Sequence, residues 1–216
     1  MNKEFLQKAI QELRKTKKRN FVQSFDVIIS LRDLDLKKPN ENVNFYLSLP
    51  AKIIKPKKVC AFVAAELEEQ AKKYCDKTIT IPEFDNFDKK AIKKLANEFD
   101  YFIAQANIMV KVAAKFGRIL GTRGKMPNPK AGCVVPPKAN VQAVVQKLQT
   151  LILLKTNKSP VVHATIGSES AWDEDIIKNA TSIVDQVIHH LPNEAANVKN
   201  VYLKLTMSKP VKLEKV

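Results

Sequence analysis

The sequence predicts a two-domain fold: a discontinuous α+β domain with an antiparallel sheet, built from both termini, and an inserted Rossmann-like three-layer α/β domain. Apolar and polar residues alternate in strands at both ends of the chain, which is typical of antiparallel sheets with one exposed face. In the middle, short unbroken apolar strands alternate with helices, which favours a parallel sheet covered on both faces. The 216 residues suffice for one large domain or two small ones.

The two ends of the chain complement each other. Their predicted elements are two amphipathic helices, at 3–16 and 173–191, and four alternating strands, at 25–31, 43–49, 161–166 and 201–207. The first helix and the first two strands would not be stable alone, so they need partners from the far end of the chain. We therefore expect residues 1–54 and 152–216 to form one domain.

The middle of the chain has a different pattern. Its predicted elements are three strands, at 59–63, 78–81 and 101–104, and four helices, at 65–74, 89–99, 108–116 and 139–148. This alternation predicts a Rossmann-like domain over residues 55–151. We expect the hinges between the domains near Pro50, near Pro56 and in the segment 150–159.

The charge of the chain points to a polyanionic partner. The 37 Lys and Arg residues outnumber the 22 Asp and Glu residues, which gives a formal net charge of +15. From Tyr101 to Ser168 there is no acidic residue, although ten Lys or Arg residues occur there. Such a charge repels itself in a lone protein but becomes favourable when binding to phosphates releases their counterions. Nucleic acid is therefore the first-ranked partner.

Most of the chain's backbone freedom is concentrated inside this acid-free segment. Four of its five glycines, Gly117, Gly121, Gly124 and Gly132, fall within sixteen residues. We expect a structured basic loop that lies either on RNA or on a neighbouring part of a large assembly. Its cations Arg118, Arg123 and Lys125 are the candidates for a secondary RNA contact. A structured surface turn without a partner is the plainer alternative.

The glycine-rich segment does not match a nucleotide-binding motif. A P-loop places Gly five residues before Gly-Lys and Ser or Thr after them, whereas Ile119 precedes Gly124-Lys125 and Met126 follows. The three histidines and three cysteines show no metal-ligand spacing, and no nucleophile motif is present. We therefore expect neither catalytic residues nor a metal or cofactor, no membrane span, and a reducing cytosol. A nucleotide-dependent Rossmann-type enzyme is the unfavoured alternative.

Three segments resemble one known family. They are residues 18–39 with the following Leu49-Pro50, the glycine-rich residues 117–129, and residues 200–207. Together they resemble the large-subunit ribosomal protein L-one family, the protein of the mobile stalk beside the tRNA exit site. Where Thr122 stands, the family usually has proline. The sequence of residues 34–39 and the short C-terminus resemble the archaeal type.

The resemblance implies a ribosomal function. The domain built from both termini would hold the principal RNA site and bind a bulged helical junction of large-subunit rRNA. The chain would act in the cytoplasm within the large ribosomal subunit, help to release deacylated tRNA, and be a monomer when free. Many relatives also bind a mimic of that junction in their own mRNA and repress its translation. A free repressor that acts mainly on mRNA would use the same site, so the sequence does not separate these two functions.

The resemblance also assigns the RNA-binding residues. Carried over by motif, they are Asn20, Phe21, Ser24, Asn200, Thr206, Met207 and Ser208, and we add Lys209. The hydroxyls of Ser24 and Thr206 can donate and accept, as recognition of a ribose 2′-hydroxyl requires. Phe21 and Met207 would shield these bonds from water.

One position departs from the family pattern. The family usually follows Thr-Met with Gly-Pro, whereas this chain has Ser208 and Lys209, with Pro210 one place later. A glycine there would let the backbone approach RNA closely. We expect binding to persist here through a contact between Lys209 and phosphate, with an altered local geometry at Ser208.

Overall fold

The structure is a computed structural model that describes residues 3–38, 41–52 and 56–213. In chain order its regular elements are α1 (Lys3–Arg14), β1 (Ser24–Leu31), β2 (Asn44–Ser48), β3 (Val59–Val63), α2 (Glu68–Tyr74), β4 (Lys77–Thr80), α3 (Lys89–Glu98), β5 (Tyr101–Gln105), α4 (Met109–Thr122), β6 (Val134–Val135), α5 (Val141–Thr150), β7 (Leu151–Lys155), β8 (Val161–Ser168), α6 (Asp173–His190), β9 (Val198–Leu205) and β10 (Val211–Leu213). None of the helices in the described ranges is long and apolar enough to cross a bilayer.

The chain divides into two compact units. The first unit consists of Met1–Lys55 and Thr150–Val216, and the second unit consists of Pro56–Gln149. The first contains antiparallel sheets and the second a parallel sheet. The predicted mixed fold class is thereby confirmed.

The first unit is built on a four-stranded antiparallel sheet in the order β10-β9-β1-β8. Alternate residues of β1 and β9 are buried, among them Phe25, Val27 and Leu203. The apolar stripes of α1 and α6 belong to the same core, which therefore lies on one face of the sheet. The residues between the buried ones stay partly exposed, so the sheet keeps an outer face.

The segment 150–159, where we expected a hinge, begins at the boundary between the two units. Half of it, Leu151–Lys155, is the strand β7, which pairs antiparallel with β2. Its apolar side chains Leu151, Ile152 and Leu154 are buried. Burial of these side chains, together with the backbone pairing, holds this part of the segment as a strand.

A buried asparagine fixes the chain after β2. Asn179 lies inside α6 and is 1% exposed. Its side-chain amide accepts from the Ala51 nitrogen at 3.0 Å and donates to the oxygens of Ala51, at 3.1 Å, and Ile166, at 2.8 Å. One side chain therefore joins α6, β8 and the segment that follows β2. Each of these buried backbone groups would lose a partner if the amide were removed.

The second unit is a parallel sheet in the order β4-β3-β5-β6. Right-handed crossovers place α3 and α4 on one face of this sheet and α2 on the other. The buried side chains of α5, Val141 and Leu148, do not belong to the α3–α4 core, so α5 lies on the α2 side. Phe62 and Phe102 project from neighbouring strands toward the α3–α4 side, where Phe84 and Phe116 pack against Phe62 with ring centroids 5.8 and 4.7 Å away. These aromatic contacts form the centre of that core.

The glycine-rich segment is only partly a loop, which corrects a prediction. Helix α4 continues to Thr122, so Gly117 and Gly121 are helical. Val112, Phe116 and Leu120 recur every four residues on the buried side of the helix. Their burial outweighs the helix cost of about 1 kcal/mol for each glycine. The turn proper begins at Gly124, whose positive φ of 65° suits glycine.

Substitution of Asn179 tests its role in the fold. Asn179→Ala should lower the free energy of unfolding by about 2–4 kcal/mol, because it leaves buried backbone groups without partners. Urea unfolding measures the change, with Lys178→Ala on the exposed side of the same helix as the control. A loss no larger than that of Lys178→Ala would show that the buried bonds are not needed.

Candidate nucleic-acid interface

The two ends of the chain meet where β1 begins and β9 ends. Phe25 pairs with Leu205. Because the strands are antiparallel, Ser24, which precedes Phe25, lies beside Thr206, which follows Leu205. Ser24 donates its backbone N–H to Thr206 Oγ1 at 3.1 Å, and the Thr206 N–H donates to the Ser24 carbonyl at 3.1 Å. Residues from the two extremities of the sequence thus form one bonded pair at the ends of the two central strands.

Both side chains of this pair keep hydrogen-bonding capacity. A hydroxyl has one donor and two acceptor positions, and one acceptor position of Thr206 is used by Ser24 N–H. The Thr206 hydroxyl lies 3.4 Å from the Ser24 carbonyl, which makes a weak bond at most. Within the described ranges no residue bonds the Ser24 hydroxyl. Two hydroxyls are therefore available at the surface.

Gln23, which the sequence prediction left out of the site, holds this region together. It is 2% exposed, and its Oε1 accepts from the Met207 N–H at 3.1 Å. Its backbone carbonyl accepts from the Glu169 N–H at 2.7 Å. Arg14, from the end of α1, donates to the Glu169 carbonyl at 2.7 Å and so fixes the same loop. The sequence held no signal for this role, because the burial of Gln23 and its bonds to distant residues appear only in the fold.

Two large apolar side chains stand beside the bonded pair. Phe21 is 52% exposed and Met207 is 58% exposed, although a core is available for such residues. Val22 is exposed as well. A group of exposed apolar residues next to polar groups is typical of an interaction site. We call Phe21, Gln23, Ser24, Thr206 and Met207 the strand-end surface.

The Ser208 hydroxyl is engaged inside the turn after β9. It accepts from the Leu205 N–H at 2.8 Å and lies 3.1 Å from the Lys209 carbonyl. Ser208 is not among the described residues with positive φ, so its backbone does not require glycine. This explains how the turn accommodates the departure from the family pattern. A direct contact of Ser208 with RNA remains a prediction.

The remaining predicted residues of the first unit are distributed unevenly. Asn20 and Lys209 are exposed next to the strand-end surface in the sequence. Asn200 pairs with Ser30 near the other end of β9. Its six-residue separation from Thr206 corresponds to roughly 20 Å along a strand. The structure therefore does not bring Asn200 into the strand-end surface, although alternation puts it on the same outer face of the sheet.

Further polar residues of that outer face were absent from the sequence prediction. Asp26 lies between Thr165 of β8 and Lys204 of β9 in the register of the sheet. Thr165 donates its hydroxyl to Asp26 at 2.7 Å. His163 is exposed on the same strand face. The alternation of each strand indicated these positions, but only the register shows which of them lie side by side.

A basic groove borders the strand-end surface. Its volume is about 620 Å³, and its lining includes Met207. Four cations line it, against the single carboxylate of Glu12; they are Lys17, Arg19, Lys209 and Lys212. An excess of positive charge beside exposed hydroxyls and apolar side chains suits a phosphate backbone.

Two of the three predicted cations in the second unit are used within that unit. Arg123 donates to the Lys93 carbonyl and to the Asn97 side chain. Lys125 Nζ donates to the Phe99 carbonyl at 2.7 Å. These bonds tie the end of α4 and the turn that follows it to α3. Arg118 is exposed, and no described residue bonds its guanidinium. Of the three, only Arg118 is fully available to a ligand.

The crevice in which doubly wound folds bind their ligands is occupied by a side chain here. Such ligands lie outside the carboxyl ends of the strands where the strand order reverses, which is between β3 and β5 in this sheet. Gln105, completely buried, accepts there from the Ala64 N–H at 2.9 Å and donates to Glu66 at 3.0 Å. A glutamate at this point repels phosphate. The crevice therefore gives no support to a nucleotide-dependent enzyme.

The cysteines are also poorly suited to nucleophilic chemistry. Burial raises the pKa of the Cys60 thiol to about 12. Burial likewise raises the pKa of Cys75 and of Cys133 to about 11. Because the thiolate is the reactive form, these side chains are inert near neutral pH.

Comparison with known proteins gives consistent matches over the whole length. The model of the Ribosomal protein L1p/L10e family matches residues 13–209. A protein named large ribosomal subunit protein uL1 from Methanothermococcus thermolithotrophicus is 37% identical over 218 aligned residues, which cover 100% of both chains. Proteins of the same name from Nanoarchaeum equitans and Archaeoglobus fulgidus are each 36% identical. These alignments cover 94% and 99% of this chain, and 97% and 99% of the relatives.

Substitution of Gln23 tests whether it positions the turn after β9. Gln23→Leu keeps the size of the side chain but replaces the amide by an apolar group, which removes the acceptor for the Met207 N–H. We expect faster hydrogen exchange at Met207 and a loss of about 1–3 kcal/mol in unfolding free energy. Val22→Thr, at an exposed position, is the control. Unchanged protection of the Met207 amide would contradict this role.

Proposed function

We propose that this chain, which belongs to the Ribosomal protein L1p/L10e family, binds large-subunit rRNA through its strand-end surface. Family membership makes it a structural component of the large ribosomal subunit rather than an enzyme. It is of the archaeal type and acts in the cytoplasm as part of the ribosome. The RNA it contacts, and the residues that contact it, are the content of the proposal.

The observation that carries the proposal is the Ser24–Thr206 pair with its exposed apolar neighbours. Two available hydroxyls stand next to Phe21 and Met207, which a bound ligand would cover. Hydroxyls that donate and accept can recognise a ribose 2′-hydroxyl, which distinguishes RNA from DNA. Once water is displaced by the apolar side chains, these bonds become stronger and more costly to lose.

The remaining residues would extend the contact along the RNA. Asn20 and Lys209 flank the strand-end surface, and the basic groove beside it offers further cations for phosphates. Asn200 would contact a separate part of the RNA, because it lies near the far end of β9. A partner that reaches both ends must span the outer face of the sheet. A folded junction is wide enough to do so, whereas an isolated nucleotide is not.

Two further RNA partners follow from the proposal, and one of them, the chain's own mRNA, would use the same surface. Recognition through hydroxyls and shape does not depend on which molecule carries the junction, so an equivalent fold in the chain's own mRNA would compete for it. Translational repression would follow from such competition. We also propose that the bound protein contacts deacylated tRNA in the exit site and helps to release it. When free, the protein is proposed to be a monomer.

Loss of one hydroxyl tests the rRNA site. Thr206→Val should weaken binding to a large-subunit rRNA fragment that contains the stalk junction by about 1–3 kcal/mol, because it removes a shielded hydrogen bond. Phe21→Ala should have a comparable effect through the loss of apolar cover. Titration of labelled RNA at fixed salt measures both.

Matched controls lie on the helices of the same unit. Thr181→Val makes the same chemical change at a buried hydroxyl that has no hydrogen-bond partner within the described residues. Phe5→Ala removes a partly exposed phenylalanine from α1. Equal affinities of Thr206→Val and Thr181→Val for the junction would refute the assignment of the site.

A second experiment separates ribosomal from regulatory function. The native protein should sediment with large subunits at low and moderate salt, with a minor share on its own mRNA leader. Thr206→Val should reduce both shares together, because one surface serves both. A variant protein lost from mRNA but fully retained on subunits would show that the two RNAs use different surfaces.

A further inference from the structure

The two helical layers of the second unit differ sharply in charge. Helices α3 and α4, on one face of the parallel sheet, carry seven cations and one carboxylate. Helices α2 and α5, on the other face, carry three cations and two carboxylates. A general requirement for solubility would spread charge over both layers. The asymmetry therefore needs a cause that acts on the α3–α4 side alone.

The lysines of α3 form no ion pair with any described residue, in contrast to Lys72 of α2. On α2, Lys72 bonds Glu68 at 2.6 Å, one turn away. On α3, all four lysines are exposed, and none forms an ion pair with any described residue; they are Lys89, Lys90, Lys93 and Lys94. Four unpaired like charges within two turns repel one another. Binding of an anion would relieve this repulsion.

Helix α4 adds a parallel row of charge. Lys111, Lys115 and Arg118 recur at intervals of four and three residues, which places them on one side of the helix. Lys115 Nζ lies 3.7 Å from Asp85, which precedes α3, and the two helices pack against each other. The cations of α4 therefore run alongside those of α3 and form one continuous basic face.

The outer surface of α4 also lets a partner come close. Ala114 is exposed, Gly117 is partly exposed, and a Cβ added at Gly121 would meet no atom within 4 Å. The outward positions of α3 and α4 carry no aromatic side chain on which a base could stack. Small side chains between long cations suit the phosphate backbone of a nucleic-acid duplex rather than exposed bases.

We infer that this α3–α4 face is a second RNA-binding surface, separate from the strand-end surface, which contacts the phosphate backbone of duplex RNA without sequence specificity. The inference rests on the proposed ribosomal function only for the choice of RNA as the polyanion. It replaces the glycine-rich turn as the RNA contact of the second unit, because Arg123 and Lys125 are bonded within the unit while the α3 lysines and Arg118 are not.

A charge-matched comparison tests the inference on the full chain. The probe is a plain RNA duplex that lacks the stalk junction, titrated at several KCl concentrations. The variant Lys90→Gln/Lys94→Gln/Arg118→Gln should bind at least about tenfold more weakly near 0.1 M salt. Its log affinity should also fall less steeply with log salt, by about 0.9 for each phosphate contact removed.

The control makes a similar charge change on the opposite layer. Lys72→Gln/Lys73→Gln on α2, with Lys147→Gln on α5, removes three cations from the same unit. It should retain most of the affinity and the original salt dependence. Equal losses in the two triple variants would overturn the inference, because the duplex would then respond only to net charge. Displacement of the duplex by polyglutamate at equal charge concentration would also overturn it.

The two proposals can fail separately. The α3–α4 variant should lose duplex binding while retaining the effect of Thr206→Val on junction binding. Thr206→Val should in turn bind the plain duplex like the parent chain. Loss of the junction effect alone would count against the strand-end surface, and loss of the duplex effect alone would count against the α3–α4 face.

Discussion

The pairing of β1 with β9 is the contact on which the first unit depends. Phe25 and Leu205 are matched in register although nearly the whole sequence separates them. Closing so large a loop costs chain entropy, and the buried faces of the two central strands must offset that cost. The same register sets Ser24 beside Thr206 and Gln23 beside Met207. The strand pairing that builds the core therefore also assembles the candidate RNA site.

Because the β1–β9 pairing serves both the core and the site, few additional residues are needed to position the site. Its hydroxyls lie where the hydrogen bonding of the central strands ends, so their positions are set by the β1–β9 pairing. Gln23 and Arg14 fix the neighbouring loops through bonds to Met207 and Glu169. A preorganised surface loses less entropy on binding than a flexible one. Phe21 and Met207 are therefore exposed side chains on a preorganised surface.

The cations of the two units lie in different surroundings. In the first unit, cations border the strand-end surface in a groove, beside hydroxyls and apolar side chains that can read shape. In the second unit, cations occupy one helical layer without aromatic neighbours. The first arrangement suits specific recognition, and the second suits contact with a phosphate backbone. The cations behind the overall charge of +15 thus form two different kinds of surface.

The sequence by itself determined the types of most elements, the mixed fold class and the family, because hydrophobic periodicity and motif spacing are local properties. It also indicated Phe21, Ser24, Thr206 and Met207, which lie in the family's motifs. It did not indicate Gln23 or Asp26, whose roles depend on partners far away in the chain. It misjudged Gly117 and Gly121, because helix propensity is weak beside the burial of Phe116 and Leu120. Only the tertiary structure decided which cations are free and which are bonded, since that depends on strand register and helix packing, which bring together residues that are distant in sequence.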